Sequence, residues 1–161
     1  MSITTKLYFS VFISFLIAAL LVSIPLPTKL YWFWPQWIVL IMIFWVLYLP
    51  NNIGLKTAFV IGLVLDGLSG SMLGEHSLAL IMITYLLLKF NNKIIFSKIS
   101  GQSIIIFALI FLYQGILYWV HGIMKSFPLT SSYWISSITS ALVWPYIVML
   151  LQEYVKFYKP R

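Results

Sequence analysis

Hydrophobic positions along this chain fall in long blocks, divided by short stretches of Pro, Gly, Ser and scattered basic residues. The first block, Leu7 to Ile24, is long enough to cross a bilayer, since about 20 residues rising ~1.5 Å each cover its ~30 Å hydrocarbon core. It exceeds the apolar region of a cleaved leader and no small-x-small cleavage site follows, so it reads as a retained span. A second block, about Trp37 to Leu49, follows the aromatic cluster YWFWPQW, whose rings suit the headgroup level. Pro35 suits the first turn of that helix, where its missing N–H is harmless. Two clearer blocks, about Ser103–Gly122 and Tyr133–Leu151, complete the pattern.

Between them lies a block of about 38 residues, Ile53 to Phe90, which as one helix would reach ~57 Å. Its middle, GLVLDGLSGSMLGEHS at residues 62–77, holds two of the three acids, one of the two histidines and four of the eight glycines. Helix propensity is poorest there, which predicts two short helices, roughly 54–68 and 77–90, joined by a tight turn. Each would cover only ~20–23 Å, either as tilted, bilayer-thinning spans or as a re-entrant hairpin buried among other helices. The expected fold is an all-α polytopic membrane protein with six hydrophobic segments, the third and fourth short, forming one domain over 1–161.

Composition agrees about the solvent. Hydrophobic residues are 62% of the chain and charged residues 8%, too few charges to dress the surface of a water-soluble domain. The net charge of +7 comes from basic residues spread between oily runs, which argues for membrane loops and against nucleic acid as a partner. A six-segment arrangement with both termini inside places Lys6, Lys56, Lys89, Lys93, Lys98, Lys156, Lys159 and Arg161 in the cytoplasm. Lys29 and Lys125 fall outside, a split of eight to two. Five spans would give seven to three, so block length and the glycines, more than charge, favour six. The basic tail KFYKPR suits anionic lipid headgroups.

The absence of cysteine removes thiolate and disulfide chemistry. Asp66, deep in an apolar run, admits two readings. It is a proton, cation or partner anchor, or it accepts hydrogen bonds from free backbone N–H groups in the turn that follows. Gly67-Leu68-Ser69-Gly70 spells G-x-S-G, similar to the rhomboid nucleophile motif with His121 as the base. No donor pair for an oxyanion hole accompanies it, and small residues also serve close helix packing. His76, His121 and Glu75 lack metal-ligand spacing, so no metal and no cofactor are expected, and His76 reads as a turn residue. Ser136/Ser140 and Ser137/Ala141 offer small faces for a neighbouring helix, Gln114 an interhelical donor, and Pro145 a kink after Trp144.

In order, Pro35-Gln36, then Gly62, Asp66, Gly70 and Gly74 as G-x-x-x-D-x-x-x-G with a further glycine, then Trp144-Pro145, resemble the rod shape-determining MreD family of bacteria. The resemblance covers nearly the whole chain. It implies a non-enzymatic subunit of the cell-elongation machinery in the inner membrane, acting in lateral peptidoglycan synthesis. The implied partners are an MreC-like bitopic protein and, through it, an MreB-like actin homologue and a RodA-like glycosyltransferase with its transpeptidase. The family is also akin to the S-components of energy-coupling-factor transporters, which implies as an alternative a binder of a small vitamin or metal. The Ala-x-x-x-Ala docking pattern of those proteins is missing, because Ala18 and Ala19 are adjacent. Asp66 with Gly62, Gly67, Gly70 and Gly74 is expected to form one device: the acid caps the helix break and the glycines let it pack tightly.

Overall fold

A computed structural model of the chain describes residues 3–124 and 131–158, and these are helical. In order they form α1 (Ile3–Val22), the single turn α2 (Thr28–Tyr31), α3 (Trp37–Tyr48), α4 (Leu55–Ser69), α5 (Glu75–Ile95) and α6 (Ile99–Met124). A 3₁₀ turn, Ser131–Trp134, leads into α7 (Ile135–Tyr158). Among the described residues, windows in α5, α6 and α7 are long and apolar enough to cross a membrane, so the protein is membrane-embedded.

The six long helices alternate in direction. At one end, Asn52 donates to the Tyr8 hydroxyl (2.7 Å), Gln152 to the Tyr48 hydroxyl, and Asn91 to the carbonyls of Val46 and Leu47 (3.3 and 3.1 Å) at the close of α3. At the other end, Trp34 Nε1 donates to the Leu21 carbonyl (3.1 Å) and the Gln36 amide to Ser140 Oγ (2.9 Å), while Gln114 Nε2 donates to Ser136 Oγ. The first end therefore carries both described chain ends together with Lys56, Lys89, Lys93 and Lys98, all exposed. Lys125, Lys159 and Arg161 lie outside the described residues.

The centre of the bundle is α3. A helix apolar on every side has no face to give to water, and it is stable where neighbours surround it. Ten of the twelve residues of α3 are buried, packed against α1, α5 and α7. Trp45 within it is fully buried and donates from Nε1 to Ser14 Oγ (2.8 Å), while Ser14 donates to the Val11 carbonyl (2.7 Å). Phe44 stacks on Tyr48 with ring centroids 4.4 Å apart and meets Trp144 at 6.4 Å.

Two expectations need correction. The fourth segment is not short: α5 has 21 residues, about 31 Å of helix, because the polar Lys89, Asn91, Asn92 and Lys93 continue its last turns. The third, α4, is short as expected at 15 residues, and the second, α3, is shorter still at 12. Pro35 is not in the first turn of α3 but precedes its N-cap, Gln36. Pro145 lies inside α7.

Candidate functional site

The chain's break from α4 to α5 is built from two left-handed glycines. Gly70 (φ +63°) ends α4 and Gly74 (φ +99°) precedes α5, at backbone angles that side chains with a Cβ rarely adopt. The Ser71 amide returns to the Asp66 carbonyl (3.2 Å), closing the end of α4. The first amides of α5 have no intrahelical acceptor, as at every helix start. Asp66, one turn before the end of α4, reaches across to them. Its Oδ2 accepts from the Gly74 amide (2.7 Å) and its Oδ1 from the His76 amide (2.9 Å). A carboxylate at a helix N-terminus is also favoured by the helix dipole.

The same Oδ1 lies 2.8 Å from His76 Nδ1, and Ser71 Oγ contacts both Asp66 Oδ1 (3.3 Å) and His76 Nδ1 (3.1 Å). Asp66 is 1% exposed. Acid, imidazole and hydroxyl thus converge, but Asp66 and Ser71 share one ring nitrogen. A proton relay through an imidazole needs the acid on one nitrogen and the nucleophile on the other, so the Ser71 contact braces the turn instead.

A second acid–imidazole pair adjoins the first. Glu75 Oε1 lies 2.9 Å from His121 Nδ1, with the Glu75 side chain 3% exposed. The His121 Nδ1–H is directed at the Leu117 carbonyl one turn back in α6 (2.8 Å), so Glu75 makes a charge contact without an aligned donor. Tyr113, fully buried, places its ring 6.1 Å from that of His76, and its hydroxyl has no partner. Among the described residues no group of three or more His, Asp or Glu is arranged to hold a metal.

The glycines divide by role. A Cβ on Gly62 would stand 2.3 Å from Ser77 Cα and 2.5 Å from its amide, so α4 and α5 touch backbone to backbone there. Ser77 Oγ fastens the contact by donating to the Phe59 carbonyl (3.1 Å). Around Gly67, Gly70 and Gly74 a Cβ would meet nothing within 4 Å. Tight packing of the break, expected for all four, holds for Gly62. Gly70 and Gly74 serve the turn's backbone angles, and Gly67 faces open space.

Pro35, Trp144 and Pro145 are not part of this cluster. Pro35 is buried at the same end of the bundle beside Gln36, while Trp144 is fully buried and donates from Nε1 to Gln102 Oε1 (3.3 Å), near the start of α6. Gln114 is the interhelical donor its position suggested, serving the Tyr133 carbonyl (3.0 Å) as well as Ser136. Ser69, exposed at the end of α4, makes no described hydrogen bond to His121. Sequence reasoning missed Ser71 and both acid–imidazole pairs. The available signal was the place of Glu75 and His76 just after a glycine that starts a helix.

The profile of the rod shape-determining protein MreD family matches residues 3–154. The chain belongs to the MreD family. A curated rod shape-determining protein MreD from Haemophilus influenzae is 28% identical over 148 residues, covering 91% of this chain and 90% of that protein. No solved structure matches. Membership implies a role in determining rod shape, and in this family member the polar cluster sits at the end of the bundle opposite Lys56, Lys89, Lys93 and Lys98. The vitamin-binding alternative gains no support. Two of the cavities, at residues 22–36 with 133–136 and between α1, α3 and α7, measure about 100 and 230 Å³, below the roughly 300–1,000 Å³ of small-molecule pockets.

Proposed function

We propose that this chain is a non-enzymatic subunit of the bacterial inner membrane, both termini cytoplasmic, that supports lateral peptidoglycan synthesis by holding an MreC-like bitopic partner. Through that partner it joins an MreB-like actin homologue, a RodA-like glycosyltransferase and its transpeptidase. Family membership supports the shape-determining part of this reading. The contact with a partner helix rests on one observation: the end of α4 presents Gly67 to open space on a backbone held rigid by Asp66. Small residues on such a surface let a second helix approach closely, which is the main source of helix affinity in lipid.

Gly67 is the position that tests this without disturbing the fold, since Gly70 and Gly74 require left-handed angles and Gly62 has no room. Gly67→Trp is expected to leave the protein folded and membrane-inserted while recovery of the MreC-like partner in a gentle-detergent pull-down falls by about tenfold, a loss of ~1.4 kcal/mol, and cells lose rod shape. Undiminished partner recovery and normal rods would remove the helix contact from this surface.

A further inference from the structure

The outward face of α5 changes character along its length. Asn91 points into the bundle, where it donates to the carbonyls of Val46 and Leu47 at the close of α3. Lys89 and Lys93 each lie two residues from Asn91, about 200° around the helix, so both point away from the bundle. Leu78, Met82 and Tyr85 share that face, because at about 100° per residue they fall with the two lysines within an arc of ~80°. All are exposed, the three before the lysines by about half. One helix face thus runs apolar for about 16 Å, from Leu78 to Lys89, and ends in two ammonium groups one turn apart.

Neither charge is compensated. Of the chain's three acids, Asp66 and Glu75 meet histidines at the opposite end of the bundle. The third, Glu153, lies on α7, which packs against α1, α3 and α6. Among the described residues neither lysine forms an ion pair. Lys89 Nζ stands 5.8 Å from the centre of the Phe90 ring, a contact that leaves its N–H donors free. The complement of this face is negative at one end and hydrocarbon along the rest. An acidic protein surface would satisfy the lysines alone, whereas an anionic phospholipid satisfies the lysines and the stripe together. The length fits too, since about 16 Å is roughly half of the ~30 Å hydrocarbon core, the depth of one leaflet. Lys56 stands at the same end but off this face. There α4 meets α5 along Gly54, Ala58 and Gly62: a Cβ on Gly54 would lie 3.8 Å from Leu88 Cδ1, and Gly62 touches Ser77. Lys56 is two residues from Gly54 and from Ala58, about 200° around α4, and faces away from α5.

We propose that this face of α5 binds an anionic phospholipid, its phosphate between Lys89 and Lys93 and an acyl chain along Tyr85, Met82 and Leu78. The purified full chain, stripped of lipid in detergent, is titrated with dioleoylphosphatidylglycerol or with dioleoylphosphatidylcholine, and bound lipid is read by native mass spectrometry. Saturable retention of phosphatidylglycerol over phosphatidylcholine is expected. Lys89→Gln and Lys93→Gln should each weaken it about fivefold, and the double variant about 25-fold, the effect of one and two lysines at an anionic headgroup. Lys56→Gln removes the same charge from the same end and should leave the affinity unchanged. Lys89→Arg/Lys93→Arg keeps both charges and should retain the lipid. The substituted side chains are exposed, so the bundle stays packed in every variant.

Equal retention of the two lipids, or equal losses in Lys56→Gln and Lys89→Gln, would reduce the effect to the general attraction of a basic membrane border and overturn the site. Undiminished retention in the double glutamine variant would overturn it as well. Displacement of the lipid by glycerol phosphate at matched ionic strength would remove the acyl stripe from the binding and with it the lipid reading. Binding of polyglutamate in place of phosphatidylglycerol, lost in the double variant, would assign the two lysines to an acidic protein instead.

Discussion

At Asp66 four donors converge on two oxygens: the Gly74 and His76 amides, the His76 ring and the Ser71 hydroxyl. Each bond to a charged group contributes about 1.5–3 kcal/mol, and an orphaned buried donor costs ~1–3 kcal/mol. Asp66→Ala should therefore lower stability by about 3 kcal/mol or more. Asp66→Asn keeps one acceptor oxygen and should cost about half that, a ranking that detergent thermal melts would check. The glycines give a sharper contrast. Gly62→Ala drives a Cβ into the Ser77 backbone and should cost about 1–3 kcal/mol through overpacking. Gly67→Ala meets open space in a helix and should be neutral or gain up to ~1 kcal/mol from helix propensity. Equal melting shifts for the two alanines would contradict the close approach of α4 and α5. Both glycines were legible as small residues near a helix break, but a spacing does not say which of them touches another backbone.

Among the elements, α3 departs furthest from its appearance in the sequence. An apolar stretch of that kind reads equally as a lipid-facing span or as the core of a bundle, because lipid tails and leucine side chains are alike to it. What marks it as core is its contacts. Trp45 Nε1 is fully enclosed and depends on Ser14 of α1 for its acceptor. Ser14→Ala should thus destabilise the α1–α3 contact by about 1–3 kcal/mol, the penalty of an unsatisfied buried donor. Trp45→Phe in the same background should add less than it does alone, and a double-mutant cycle in thermal melts would measure that coupling. Additive losses would mean that the hydrogen bond carries no stability. The break between α4 and α5, by contrast, was legible to within a few residues, because two glycines at left-handed angles are a strong local signal that needs no tertiary partner.

Over the whole molecule, polarity is divided between the two ends of the bundle. Exposed Lys56, Lys89, Lys93 and Lys98 stand at the end with the described termini, and Asp66, Glu75, His76 and His121 gather at the other. In the proposed orientation the lysine end faces the cytoplasm, as the positive-inside tendency favours. The chain has no cysteine, so single-cysteine labelling tests this directly. Leu73 is 82% exposed in the turn before α5, and Asn52 is exposed at the opposite end. In spheroplasts, a membrane-impermeant maleimide is expected to label Leu73→Cys and to spare Asn52→Cys until the cells are opened. Labelling of Asn52→Cys from outside would invert the topology, and protection of both would favour a re-entrant α4–α5 hairpin.

The sequence by itself determined the solvent, the apolar blocks, a helix break between about residues 68 and 77, and the family. These follow from composition and local backbone preference, and both act within a few residues of chain. Only the tertiary structure decided that α3 is the enclosed helix, that Gly62 is the contact glycine, and that Asp66 joins His76 while Glu75 meets His121. It alone brought Tyr31, Trp32, Trp34 and Tyr133 around one cavity, across about 100 residues of chain. Burial and pairing are properties of neighbours, and in a chain this uniformly apolar the hydrophobic pattern has too little contrast to say which neighbours they are.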